Sequence, residues 1–249
     1  MIDPLFNEQM SFPYNLPQES QQFIETTVND KDYIKYNLIS MEDIMKEFFE
    51  EHPELNNNTL DTFDPNMPWI QTFTGQRFTP LDPRPESIMI KDIAHALSMQ
   101  CRFTGHISHF YSVAQHSVLV SYLCDIKDQL HGLLHDGSEA YICDFSSPLK
   151  KSGKFNFYIE IEHKIQTAIY KRFGLDTVEP ESVKVADKLM LVTEARDLLP
   201  SKRSDWVMEV NPIPLVIQPL LPHEAEKLFL DRFIELTKAI WTIILNLNF

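Results

Sequence analysis

The densest chemistry in the sequence is the run His135-Asp136-Gly137-Ser138-Glu139. An adjacent imidazole and carboxylate near a helix end form a compact hook for a divalent ion of borderline softness. Two further titratable residues sit mid-helix among apolar neighbours: His116 in Ser112-Val113-Ala114-Gln115-His116-Ser117, and Asp187 in Val183-Lys184-Val185-Ala186-Asp187-Lys188. A carboxylate buried in such a stripe is costly unless it is paired or coordinates a cation. Singly, each residue has an ordinary explanation, since a histidine on an apolar face is more often a satisfied core residue and a His-Asp dipeptide is common. Together, in the order His, His-Asp, Asp, each on its own helix, they read as four metal ligands. A helical bundle can aim His116, His135, Asp136 and Asp187 at one point. Glu139 follows His135 by four residues, so helical geometry predicts both side chains on one face. The set suits Zn, Mn, Co, Ni or Mg, and residue type alone does not choose among them.

The elements that must position these residues are helices. Helical spacing of apolar residues predicts them over 92–101, 108–124, 127–136, 158–173, 181–199 and 223–245. Gly174 after Lys171-Arg172-Phe173 marks a helix end. Residues 69–81 read as a β-hairpin, with β-formers on either side of Thr74-Gly75-Gln76. The expected fold is all-α: a helical bundle over 67–249 with a small β-hairpin, preceded by an acidic extension over 1–66. That extension carries 14 acidic residues against 3 basic, most of the chain's net charge of −14. A helix over 41–51, opened by Ser40 and Asp43 and stopped by His52-Pro53, is its one predicted element. It reads as a solvated extension, a lid or a partner-binding segment. So acidic a chain repels nucleic-acid backbones, which argues against nucleic-acid binding. The apolar stretch 239–245 is far short of a membrane span, and no basic-then-apolar leader opens the sequence. Three cysteines (Cys101, Cys124 and Cys143) without a CxxC pair fit a reducing cytoplasm and argue against a disulfide framework or a thiolate zinc site.

The ligand order resembles that of the HD-domain phosphohydrolases, H…HD…D, matched by His116, His135-Asp136 and Asp187. Four segments look like the bacterial 5′-deoxynucleotidases and their phage relatives, among them the dATP triphosphohydrolases of phages that use 2-aminoadenine. These are Arg102-Phe103-Thr104-Gly105-His106, Tyr111 through Ser117, His135 through Tyr141, and Asp144-Phe145-Ser146-Ser147-Pro148-Leu149-Lys150. The resemblance covers about 69–200 and does not extend to the alarmone enzymes, whose HDxxED block reads HDGSEA here. It implies an HD-domain helical bundle, a divalent metal, and hydrolysis of a deoxynucleotide, with a dATP-type dNTP triphosphohydrolase as the leading expectation and a 5′-deoxynucleotidase as the alternative. It implies that Glu139 orients or deprotonates the attacking water and that Asp144 assists the leaving oxygen or positions Glu139. Arg102 matches the family's phosphate-binding arginine, and Phe103 stands where those enzymes carry a tryptophan against the deoxyribose. Lys150 and Lys184 are further cations for phosphate, Lys184 lying three residues before Asp187 on the same helix. The resemblance also implies a homo-oligomer, phage-encoded and working in the host cytoplasm. His131 reads as core or as a group behind the ligands. A different class of reading is a non-catalytic HD scaffold that binds a nucleotide or a protein partner.

Overall fold

The computed structural model describes residue 64, residues 66–201 and residues 210–246, with side chains described as far as residue 238. The acidic segment, apart from its last positions, and its 41–51 helix lie outside the described residues. The rest is mostly helical with one two-stranded sheet. Strand β1 (Ile70–Gln71) pairs antiparallel with β2 (Arg77–Phe78), Ile70 opposite Phe78. Eight helices follow: α1 (Ile90–Met99), α2 (Val113–Leu123), α3 (Gln129–Leu134), α4 (Glu139–Ile142), α5 (Ser147–Lys150), α6 (Asn156–Arg172), α7 (Glu181–Leu198) and α8 (Pro222–Asn246). Short 3₁₀ turns cover Pro85–Ser87, Arg102–Gly105 and Ile126–Asp128. Among the described residues no helix is long and apolar enough to cross a membrane.

Helix α2 is the axis of the fold. Every residue from Val113 to Leu123 is buried, and α1, α3, α7 and α8 pack around it. One apolar cluster joins its Val113, Ala114, Val118 and Tyr122 to α1, α3, α6 and α8, and a second joins its Leu119, Val120 and Leu123 to α7 and to Ile213, Leu215 and Ile217. A helix with no solvent face must satisfy each polar side chain internally. Ser112 caps it by accepting from the Gln115 N–H, Ser117 and Ser121 donate to Val113 and Val118 carbonyls, and Gln115 bridges the backbone of Gln218 and Leu220. His116 is thus held mid-helix in a fully packed wall.

Two glycines shape the surroundings. A Cβ on Gly132 would lie 2.5 Å from Cys124 Sγ and 3.1 Å from Ser121 Cα, so the bare glycine is what lets α3 press against the end of α2. Gly174, at φ +68°, ends α6 as expected, with the Leu175 N–H reaching back to the Tyr170 carbonyl. The hairpin is pinned to α1: Thr74 donates through its N–H and Oγ1 to the Asp92 carboxylate, Phe73 stacks on His95, and Phe78 is fully buried against Tyr141.

The helix predicted over 127–136 is present and ends at Leu134, after a 3₁₀ turn over Ile126–Asp128. After α3 the chain turns through His135–Ser138 with tight three-residue bonds: Gly137 N–H to Leu134 O, Glu139 N–H to Asp136 O, and Ala140 N–H to Gly137 O. This tighter winding advances roughly 3.0 residues per turn instead of 3.6. His135 and Glu139 therefore do not share one regular helix face. Glu139 instead opens the separate helix α4.

Candidate metal centre

Three of the four expected ligands converge directly. His116 Nε2, His135 Nε2 and Asp187 Oδ1 are supplied by α2, the end of α3 and α7, and one ligand atom from each lies within 4.8 Å of the others. His116 Nε2 stands 3.3 Å from His135 Nε2 and 3.2 Å from Asp187 Oδ1. Asp136 Oδ2 adjoins them, 3.3 Å from His135 Nε2 and 3.7 Å from His116 Nε2. Ligand atoms set tetrahedrally about 2.0–2.1 Å from a zinc-sized ion are separated by about 3.3–3.4 Å. The observed spacings, 3.2 to 3.7 Å, lie around that value.

The protonation pattern makes the same demand. His135 Nδ1 donates to the Gly132 carbonyl at 2.8 Å, which leaves its Nε2 lone pair aimed at the cluster. His116 Nδ1 donates to Glu194 Oε1 at 2.6 Å, and its Nε2 points into the same cluster. Two imidazole nitrogens and a carboxylate oxygen thus face one another; in the metal-free protein a proton on His116 Nε2, donated toward Asp187 Oδ1, supplies the positive charge between them, in the place a metal would take. Burial and Arg102 push the His116 pKa down, but Glu194 and Asp187 outweigh them and lift it to about 9. Burial alone would raise the Asp187 carboxyl. Its hydrogen bond to His116 and the nearby His135 and Arg102 charges hold it well below the usual carboxylate range. The donor set fits a divalent metal in spacing, the metal taking the place of the His116 Nε2 proton.

Beside this cluster lies a second group of charges. Glu139 is buried, and its Oε2 finds no hydrogen-bond partner among the described residues. Burial first, then Asp136 and Asp144, push its carboxyl well above the usual range, against the pull of Lys150 and Arg102. Lys150 Nζ is 2.7 Å from Glu162, 3.7 Å from Glu139 and 3.9 Å from Asp144. Gln100 ties the segment together, donating to the Glu139 carbonyl and accepting from the Asp144 N–H. Arg102 reaches the metal ligands, its Nη1 3.6 Å from Asp136 Oδ2, and its Nε donates to Glu194 at 3.0 Å. Next to it Phe103 and Thr104 hold left-handed backbone, φ 54° and 53°, a strained conformation for residues with a side chain. The Phe103 ring lies 5.9 Å from the Arg102 guanidinium carbon. Lys184 stands apart from these groups: half exposed, it pairs with Glu181 at 3.4 Å. His131 is a core residue, donating from Nε2 to the Asp176 carbonyl and meeting the Tyr170 ring edge-on.

Sequence reasoning passed over Glu194, Tyr111 and Glu162. Glu194 has no solvent exposure and accepts from Arg102, from His116 and from Tyr111 at 2.9 Å. The available signal was its position seven residues after Asp187, two turns along the same stripe of α7. Glu162, on α6, gave no signal beyond an ordinary helix charge.

No family model matches the chain. It is similar to Uncharacterized protein YfdR of Escherichia coli, 42% identical over 175 residues that span 69% of this chain and 97% of that protein. It is also similar to an uncharacterized protein of Rhodobacter capsulatus, 36% identical over 138 residues, or 51% of this chain and 69% of that one. With that identity over nearly the whole of the Escherichia coli protein, the chain belongs to the YfdR family.

Proposed function

We propose that the protein is an HD-domain, metal-dependent phosphohydrolase acting on deoxynucleotides, of the dATP type that releases deoxynucleoside and triphosphate from a dNTP. One observation carries the reading: two imidazole nitrogens and an aspartate oxygen converge beside a buried glutamate that has an unpartnered oxygen. His116, His135 and Asp187 hold the metal, with Asp136 as the fourth ligand. A bound divalent metal supplies charge to polarise a phosphoryl oxygen and to acidify a water. The remaining work belongs to the chain. Glu139, whose burial makes it a stronger base than a solvated carboxylate, takes a proton from the attacking water as its oxygen bonds to phosphorus. The bond between that phosphorus and the 5′ oxygen breaks, and the 5′ oxygen is protonated from the Asp144 side. Arg102 and Lys150 orient the phosphate oxygens, and Phe103 packs against the deoxyribose.

The pairing of the two cations beside the cluster, among the described residues, supports a second reading, a 5′-deoxynucleotidase. Arg102 and Lys150 are already paired with carboxylates, and a monophosphate needs fewer cations than a triphosphate. The two readings separate by product. The protein is loaded with Mn²⁺, Co²⁺, Zn²⁺ or Mg²⁺ and incubated with each dNTP, NTP and dNMP, and the products are resolved by ion exchange. Triphosphate release from a dNTP supports the first, and phosphate release from dNMPs the second. Absence of product with metal bound rejects both and leaves a non-catalytic scaffold.

A further inference from the structure

We propose that Glu194 is a positioning residue for the metal centre. It fixes the tautomer of His116 and links that ligand, through Arg102, to Asp136. The inference rests on the metal cluster but not on the choice of substrate. Glu194 lies on α7 and is fully buried, yet three donors converge on its carboxylate. His116 Nδ1 and the Tyr111 hydroxyl both reach Oε1, at 2.6 and 2.9 Å, and Arg102 Nε reaches Oε2 at 3.0 Å. An imidazole that gives its Nδ1 proton to a carboxylate presents Nε2 as a lone pair, and Nε2 is the atom that faces His135 and Asp187. The anion behind the ring also raises the basicity of Nε2 toward a cation. The guanidinium held by Oε2 extends its Nη1 to within 3.6 Å of Asp136 Oδ2. One buried carboxylate therefore sets the orientation of one ligand directly and of a second through Arg102. In this arrangement Arg102 shares its charge between the carboxylates of the centre and the phosphate it orients.

The test compares Glu194→Gln with Tyr111→Phe in the full-length protein by chelator-competition titration of Zn²⁺ and by thermal unfolding of the metal-free form. Partners behind metal ligands typically contribute about 10–100-fold in affinity. Glu194→Gln keeps the shape and one acceptor but loses the charge, and it should weaken Zn²⁺ binding about tenfold or more. Tyr111→Phe removes a hydrogen bond to the same carboxylate and should lower the unfolding temperature while leaving Zn²⁺ affinity within about twofold. Wild-type affinity in Glu194→Gln, or equal losses of affinity in both variants, overturns the proposal and leaves Glu194 as a structural partner of Arg102. A second readout needs no variant. Nitrogen-15 NMR of the Zn²⁺-loaded wild type should show His116 protonated at Nδ1 and metal-bound at Nε2, and metal at Nδ1 overturns the proposal.

Discussion

Gly132→Ala tests the close approach that brings His135 toward His116. The added methyl would lie 2.5 Å from Cys124 Sγ and 3.1 Å from Ser121 Cα, where ordinary contacts begin near 3.4 Å. Relief requires α3 to move away from α2 by nearly an ångström, or Cys124 to repack where it is already fully buried. Overpacking of this kind costs about 1–3 kcal/mol, against about 1 kcal/mol gained from replacing a helical glycine by alanine. A contact as close as 2.5 Å puts the cost at the upper end of that range, so the net expectation is a loss of about 2 kcal/mol, or roughly 4–8 °C in unfolding temperature for a chain of this size. The Gly132 carbonyl also holds His135 Nδ1, so the same movement shifts a metal ligand, and Zn²⁺ affinity should fall with stability. Adding Cys124→Ala removes the nearer clash and should restore most of the loss, leaving only the contact with Ser121. Denaturant titration of the three variants and a Zn²⁺ titration measure both effects. A Gly132→Ala protein as stable as the wild type, or a double variant no better than the single one, refutes the reasoning.

Glu139→Gln should retain metal affinity but lose turnover by about 10²–10⁴-fold, since it removes the proposed base and leaves the ligands intact; loss of metal instead would make Glu139 a ligand. Lys150→Met should raise KM for the deoxynucleotide more than it lowers kcat, as read from steady-state kinetics, because Lys150 touches Glu139 only at 3.7 Å and is assigned to phosphate. Burial, reinforced by Asp128 and Asp125, pushes the Cys124 thiol far above its usual range. The folded state thus keeps a proton that the unfolded chain releases near pH 8.5. Its contribution is complete below that pH and declines above it, by up to about 1.4 kcal/mol per pH unit. Cys124→Ala should flatten the fall of unfolding free energy between pH 8.5 and 10. Thiol labelling of the native protein should modify the exposed Cys143 and spare Cys124.

The ligand-bearing helices and the hairpin were legible in the sequence because each follows from local pattern. Apolar spacing marks α2 and α7, and β-formers around Gly75 mark the strands. The clustering of His116, His135 and Asp187 was readable because polar groups in apolar stripes need a common partner. The helix end near Asp136 was legible, but the separate faces of His135 and Glu139 were not, since the three-residue bonds through His135–Ser138 are set by tertiary packing. Glu194 escaped for a related reason: its spacing from Asp187 is plain, but nothing local shows that Arg102 and Tyr111 arrive beside it from more than 80 residues away. The same long-range pairing changes the meaning of Arg102, which reads as a free phosphate cation in sequence and is tied to two carboxylates in the fold. Lys184 shows the limit of face arguments, because sharing a helix with Asp187 did not stop it from turning to Glu181.

The most direct test of the central claim is to follow deoxynucleotide turnover while metal is returned to the chelated protein in measured steps. Triphosphate or phosphate release should rise in proportion to bound metal up to one equivalent per chain, and Asp187→Asn should neither bind that equivalent nor turn over. A wild-type protein that binds the equivalent tightly and releases no product from any deoxynucleotide would contradict the assignment as a phosphohydrolase. Turnover that is indifferent to metal would contradict the centre itself.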